Sequence, residues 1–419
     1  MSPSTQQAAA TGATYQQIRR PLPLQLLNWV GHQIPQTYHL GPLNLNETNL
    51  LETTENITGL SDWGSDTFRP RLQKLLDALT TVADLNAAGR YYFRRFYFVR
   101  LLANRLKLQD QRKRHPEIAQ RPLPKPLFVV GMFRSGTTFL HNLLAEDPDC
   151  RWLHLGESLD PCPPPSPETW ETDPRNQYAF DLLEFQNTLA PNFSTAHHID
   201  VSRPVECSRL FEHDMVGHLF DFRADVKPYS DWLQEQDLTE SYQYYRFQLQ
   251  YLSQHWPGSH WVLKAPAHIY ALDALLKAFP DASIVYIHRD PLQVLPSCCS
   301  LSAIGRSRFA DRVDATAVGQ HWLQRLSEGT ARAMAVKKMA DPDRFYDVDY
   351  HVFVKDPVAM IRQIYEYFGY PFTPQYEAKL NGWINDNPQH KRGVHRYTLE
   401  QFGLTAEAVK ERFGSYSWS

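Results

Sequence analysis

The stretch GMFRSGTT, from Gly131 to Thr138, collects groups that hold phosphate. Gly131 and Gly136 have the spacing of the ATP-type loop G-x-x-x-x-G-K-[ST], and Thr138 stands at its last hydroxyl position. Thr137 occupies the Lys position, and the basic residue, Arg134, comes three places earlier. A glycine turn between a strand and a helix aims backbone N–H groups at an anion, and the helix dipole assists. Ser135, Thr137 and Thr138 add hydroxyls, and Arg134 adds a permanent charge. The Lys that would grip a triphosphate tail is missing. Asp290, where an ATPase keeps a magnesium carboxylate, is wedged between Arg289 and Pro291. Such a loop suits one phosphate beside a monoanionic transferring group, with no metal.

A second candidate clamp lies further on. Arg289 closes the apolar run ASIVYIH, and Ser297 follows eight places later in the first turns of a helix. Arg gives a forked grip on phosphate.

These groups need elements that position them. PLFVVG, HWVLKAP, ASIVYIH and DRFYDVDY read as buried strands. TFLHNLLAED, HIYALDALLKAFP, PLQVLPSCCSLS and PVAMIRQIYEYFG read as the helices between and after them. The alternation predicts an α/β fold, a P-loop-like three-layer sandwich on a central parallel sheet. The first 122 residues read as a disordered tail (1–20) and a helical extension, and residues 123–419 as the phosphate-loop domain. In the extension, Leu72, Leu75, Leu76 and Leu79 share one helix face, and Gly89 marks its expected end. The next stretch, YYFRRFYFVRLLANRLKLQDQRKRHPEI, reads as a buried amphipathic helix or as a wall for a lipid-like ligand. DPCPPPSPETW is a candidate lid.

The totals agree. The 419 residues are 42% apolar and 21% charged, with a net charge of −3, so no global basic field points to nucleic acid. Five cysteines without C-x-x-C spacing suggest free thiols in a reducing compartment. The amino terminus does not read as a signal peptide, and no apolar run spans a membrane. The three N-x-[ST] matches are then chance. The chain reads as cytoplasmic, with room for peripheral membrane contact.

FVVGMFRSGTTFLHNLL resembles the 5′-phosphosulfate loop of the sulfotransferases that use 3′-phosphoadenosine 5′-phosphosulfate (PAPS). Arg before Ser-Gly-Thr-Thr is similar to a broad bacterial family of these enzymes and to protein-tyrosine sulfotransferases. VYIHRDPLQVLPSCC resembles their 3′-phosphate motif, with Arg289 and Ser297 in its two places. In DYHVFVKDP, Tyr350 takes the place of a Tyr near the adenine, and His351 stands where Glu is usual. Lys391, Arg392 and Gly393 match in type the segment that closes over the 3′-phosphate. The resemblance runs from about residue 123 to 411. It implies PAPS as co-substrate and no metal.

Sulfuryl transfer to an alcohol needs an in-line acceptor oxygen, a base for its proton and positive charge on the leaving phosphate. Arg134 is the choice for that charge. Lys264, in LKAPAH, matches a Lys that touches the sulfuryl group. The family's base follows that Lys by two places, where this chain has Pro266, and His268 comes four places after. Glu157 resembles the Gly-Glu pair of the tyrosine enzymes and is the rival base. Glu206 and His198 are further candidates on the acceptor side. Aromatics between Asp160 and Trp232 line an apolar pocket for a hydroxylated lipid, polyketide, aromatic or sugar, or belong to the core. A kinase or NTPase with a degenerate loop, and a non-catalytic adaptor, are the alternative readings.

Overall fold

A computed structural model describes residues 22–33, 41–189, 199–256, 258–387, 397–414 and 416. The apolar runs marked in the sequence become strands: β1 (Leu127–Gly131), β3 (His260–Lys264), β4 (Ser283–His288) and β5 (Phe345–Asp349). A two-residue strand, β2 (Cys150–Arg151), too short to leave a pattern, pairs with β3. All pairings are parallel, in the order β2-β3-β1-β4-β5. β1 is central: Leu127 lies opposite Val262 of β3 on one side and Ser283 of β4 on the other.

The period-2 alternation of β1 divides the core. Leu127 and Val129 face the helices Thr137–Leu144, Pro357–Phe368 and Pro374–Asp386, with Val262, Val285 and Ile364 in the same layer. Phe128 and Val130 face a larger cluster with Leu263, Ile284 and Tyr286. That second layer reaches back into the extension and includes Leu50, Leu72, Phe93 and Leu102. The result is a three-layer α/β sandwich with a central parallel sheet and an amino-terminal helical extension.

Leu72, Leu75, Leu76 and Leu79 are all buried, as their spacing predicts. Their helix, Phe68–Thr81, ends earlier than expected. Gly89 does not stop it; it is the third residue of the next helix, Ala87–Tyr92, whose N-cap Asn86 accepts a hydrogen bond from the Gly89 N–H. That helix runs on through a π-helical turn, Phe93–Phe98, into Val99–Arg114. Phe93, Tyr97, Phe98, Leu101 and Leu102 are buried, so the aromatic stripe is core. The start of the proline-rich segment is held by Arg175, whose Nη1 donates to the carbonyls of Asp160 (3.1 Å) and Pro163 (2.8 Å). All five cysteines are free. No helix among the described residues is long and apolar enough to cross a membrane.

A buried ion triad ties the extension to the sheet domain. Asp214 receives Arg71 Nη1 at 2.5 Å and Arg105 Nη1 at 2.7 Å, and Ser241 Oγ donates to it at 2.6 Å. Removing the carboxylate leaves two guanidiniums facing each other out of water, a loss of about 3–5 kcal/mol for a broken buried pair. Asp214→Asn should therefore lower unfolding stability by about that amount in denaturant titration, and a change below about 1 kcal/mol would contradict the role of this tie.

Candidate active site

The phosphate loop forms because β1 runs out at two positions only glycine tolerates. Gly131 has φ +152°, and a Cβ there would sit 2.5 Å from the Ile287 carbonyl oxygen on β4. Gly136 has φ +101° and is the N-cap of the helix Thr137–Leu144 without giving it a side-chain cap. The first N–H groups of that helix have no intrahelical acceptor, the arrangement that an anion satisfies. Between the glycines, Arg134 adopts φ +68°, a left-handed conformation uncommon outside glycine.

What holds Arg134 there is the second clamp. Arg289 Nη1 donates to the Arg134 carbonyl oxygen at 3.1 Å, and Arg134 Nε donates to Ser297 Oγ at 3.1 Å. The two motifs, 163 residues apart at Arg134 and Ser297, thus form one contact. Adjacency of β1 and β4 explains this, since both strands release their chains at the same edge. Tyr350, at the end of β5, lays its ring against the Arg289 guanidinium, 4.0 Å from its carbon to the centroid. The same ring backs Gly136. Asp290 is occupied as a helix cap, accepting from Leu292 N at 2.8 Å. Ser135 turns inward, its hydroxyl donating to the Met132 carbonyl at 2.7 Å, so its side chain braces the loop.

On the other side of β1, Lys264 ends β3. Its ammonium meets Glu206 Oε1 at 2.6 Å and Thr138 Oγ1 at 3.3 Å. Lys264 is 3% exposed and the Glu206 side chain 20%. The Cys207 N–H donates to the Lys264 carbonyl at 3.0 Å and pins Glu206 beside the strand end. Sequence spacing gives no sign of this pair, because Glu206 arrives from a loop 58 residues earlier.

The other two base candidates are otherwise engaged. His268 belongs to a short 3-10 turn, Pro266–Tyr270, that returns its ring to the core. Its Nδ1 pairs with the Tyr242 hydroxyl at 2.8 Å and its Nε2 with Cys207 Sγ at 3.4 Å, and the ring is 1% exposed. Burial pulls its pKa down to about 3. Glu157 is fully buried, with Arg151 Nη2 at 2.5 Å and the His154 N–H at 2.7 Å. Burial alone would raise its pKa, but the Arg151 charge and the His154 contacts outweigh it and hold the carboxyl at about 2. It closes a capping box on the helix Leu155–Leu159. His198, Lys391, Arg392 and Gly393 lie outside the described residues.

A glycine loop at the carboxyl edge of a parallel sheet, with Arg289 and Ser297 from the neighbouring strand and its helix meeting it, defines an α/β protein of the phosphate-loop type. The chain belongs to the sulfotransferase family, whose sequence profile matches residues 126–374. It is 25% identical over 307 residues to omega-hydroxy-beta-dihydromenaquinone-9 sulfotransferase Stf3 of Mycobacterium bovis and of Mycobacterium tuberculosis, covering 70% of this chain and 75% of each relative. The fold is similar to sulfotransferase STF1 of Mycobacterium tuberculosis, with 32% identity and TM-score 0.78 over 88% of this chain and 98% of that one. It is also similar to STF9 of Mycobacterium avium, with 31% identity and TM-score 0.79 over 89% and 96%. The protein is a sulfotransferase, and the kinase and adaptor readings fall away.

A methyl group at Gly136 would need a strained backbone and would lie 2.6 Å from Tyr350 Cδ2. Gly136→Ala should lower stability by about 1–3 kcal/mol in chemical denaturation, and adding Tyr350→Ala should recover the steric part only. An unchanged midpoint for Gly136→Ala would show that the loop has a different shape.

Proposed function

We propose that the chain moves a sulfuryl group from PAPS to the hydroxyl of a small, lipid-like acceptor, with Glu206 as the base. The observation that carries this reading is the convergence of Arg134, Ser297 and Arg289 at one edge, facing an uncapped helix end. The donor set fits a bisphosphorylated nucleotide: guanidiniums and hydroxyls for two anionic groups, and an aromatic ring from Tyr350 beside them. When bound, PAPS supplies the sulfuryl group and a phosphate leaving group.

The chain's own residues then have separate tasks. The loop N–H groups and Thr137 and Thr138 bind the 5′ end, and Arg134 neutralises charge there. Arg289 and Ser297 take the 3′-phosphate, and Lys391, Arg392 and Gly393 are the segment we expect to close over it. Lys264, on the shared side of the loop and Glu206, offers its ammonium to the transferring group. As it does so, Glu206 is freed to take the proton from the acceptor hydroxyl. His268 and Glu157 hold their elements in place. Among the described residues no group of three or more His, Cys, Asp or Glu side chains could hold a metal ion. We assign residues 123–419 to the transferase unit and the preceding helices to the acceptor side. A lipid-like alcohol is favoured by the relative named for a menaquinone-derived substrate. Free thiols favour the cytoplasm.

Mass-spectrometric detection of a sulfonated product tests the activity, and calorimetry tests the clamps. Adenosine 3′,5′-bisphosphate should bind more tightly than adenosine 5′-monophosphate, and Arg289→Ala should abolish the difference. If the two nucleotides bind alike in the unaltered chain, the 3′ clamp is misassigned. Glu206→Gln should lower kcat by about 10²–10⁴-fold with nucleotide affinity unchanged. His268→Gln should leave the acid limb of the pH–rate profile in place, and its disappearance in that variant would move the base to His268.

A further inference from the structure

The helix Leu22–Gln33 opens the extension and has no part in either clamp. One side of it is anchored. Asn28 is 5% exposed, and its Oδ1 accepts the Ala88 N–H at 3.0 Å, in the helix Ala87–Tyr92. Another side is open. Leu22 is 76% exposed, Trp29 60%, Leu26 59% and Val30 42%. At about 100° per residue these four fall within an arc of about 100°, and Asn28 lies outside it. A single apolar residue on a surface needs no explanation. Four on one face of one helix form a patch that asks for a partner.

The charge around this face selects the partner. The first 46 residues carry two arginines and no Asp or Glu, in a chain whose net charge is −3. Both arginines, Arg19 and Arg20, come directly before the Pro21 that leads into the helix. Tyr91 and Arg95 are exposed too, on the helical stretch to which Asn28 is tied. An apolar face that includes Trp, with Arg beside it and no acid near in sequence, has the composition of a helix lying in the plane of an anionic lipid surface. Trp suits that boundary, since its ring is apolar and its N–H is polar. The helix has 12 residues, a length of about 18 Å against a hydrocarbon core of about 30 Å, so it can lie on a bilayer and not cross one. A second copy of the helix offers Arg19 and Arg20 no acid, whereas phosphate headgroups do.

We infer that the helix Leu22–Gln33 docks the enzyme, by the face carrying Leu22, Leu26, Trp29 and Val30, onto a bilayer with anionic headgroups. Docking there holds the enzyme against the phase that dissolves lipid-like alcohols. The surface itself is independent of the acceptor class and of the base proposed above.

The test mixes the full chain with phosphatidylcholine vesicles, prepared with and without phosphatidylglycerol, and measures the bound fraction by flotation. Vesicles with phosphatidylglycerol should bind at least about tenfold more tightly than those without, and added salt should shrink the difference. Leu26→Ser together with Trp29→Ser should weaken binding to either vesicle at least about tenfold. Melting temperature and affinity for adenosine 3′,5′-bisphosphate should stay as they were, since both side chains are exposed. Arg19→Gln together with Arg20→Gln should remove most of the preference for phosphatidylglycerol and keep the weaker binding to phosphatidylcholine. Absence of binding to both vesicles, or binding that survives Leu26→Ser with Trp29→Ser, overturns the proposal. A lower melting temperature in that double variant would show the face covered by the chain itself, and a lipid-free dimer that it dissociates would assign the face to a second copy; either result overturns the proposal as well. Vesicle binding by a chain that does not bind the bisphosphate supports the docking and strikes the nucleotide reading alone.

Discussion

The hydrogen bond from Arg289 to the carbonyl of Arg134, with the one from Arg134 to Ser297, sets the shape of the loop after β1. Left to itself, Arg134 would abandon a left-handed backbone that disfavours any residue with a Cβ. Arg289 holds the carbonyl and Ser297 the side chain, so both ends of the residue are fixed by the neighbouring strand's loop. Two arginines are thereby brought to the same half-exposed edge of the sheet, where solvent screens their repulsion. The register of β1 and β4, with Gly131 opposite Ile287, makes this arrangement possible. A slip by one residue would separate the loops and turn every side chain of β1 to the wrong layer.

This dependence explains which parts of the molecule are legible in the chain. The strands of the sheet's middle are continuous apolar runs, because a parallel sheet buried on both faces asks for that. Gly131, Arg134 and Gly136 sit together in sequence, and so do Arg289 and Ser297, since each clamp is local to one strand and the turn that follows it. Pro296 inside the helix Pro291–Arg306 did not hide that helix, because its N-cap Asp290 and first-turn Pro291 signal the start clearly.

The surroundings of the candidate bases are less legible, for a physical reason. A base is defined by where its oxygen or nitrogen arrives, and that depends on contacts between distant segments. His268 has a suitable type near Lys264, but Pro266 starts a tight turn that carries the imidazole into the core between Tyr242 and Cys207. Glu157 follows a glycine as in the tyrosine enzymes, yet Arg151, six residues before it, claims its carboxylate. That Arg is itself sandwiched between Trp256 and Trp261, at 4.5 and 4.7 Å, a contact no local pattern announces. Glu206 reaches Lys264 only through the backbone pairing of Cys207 with the end of β3. The end of the first amphipathic helix was missed for a simpler reason. Gly89 looked like a stop, whereas Asn86, a good N-cap, was the informative residue.

The core layer beneath the sheet follows a different logic from the loop edge. The family match begins at residue 126, but the buried cluster beneath the sheet contains side chains from Leu45 to Phe413. The core layer on that face of the sheet is therefore continuous with helices that come before the matched region. Those helices bring their own charges inward: Arg71 and Arg105 both meet Asp214, whose carboxylate balances them and fastens the extension to the sheet domain.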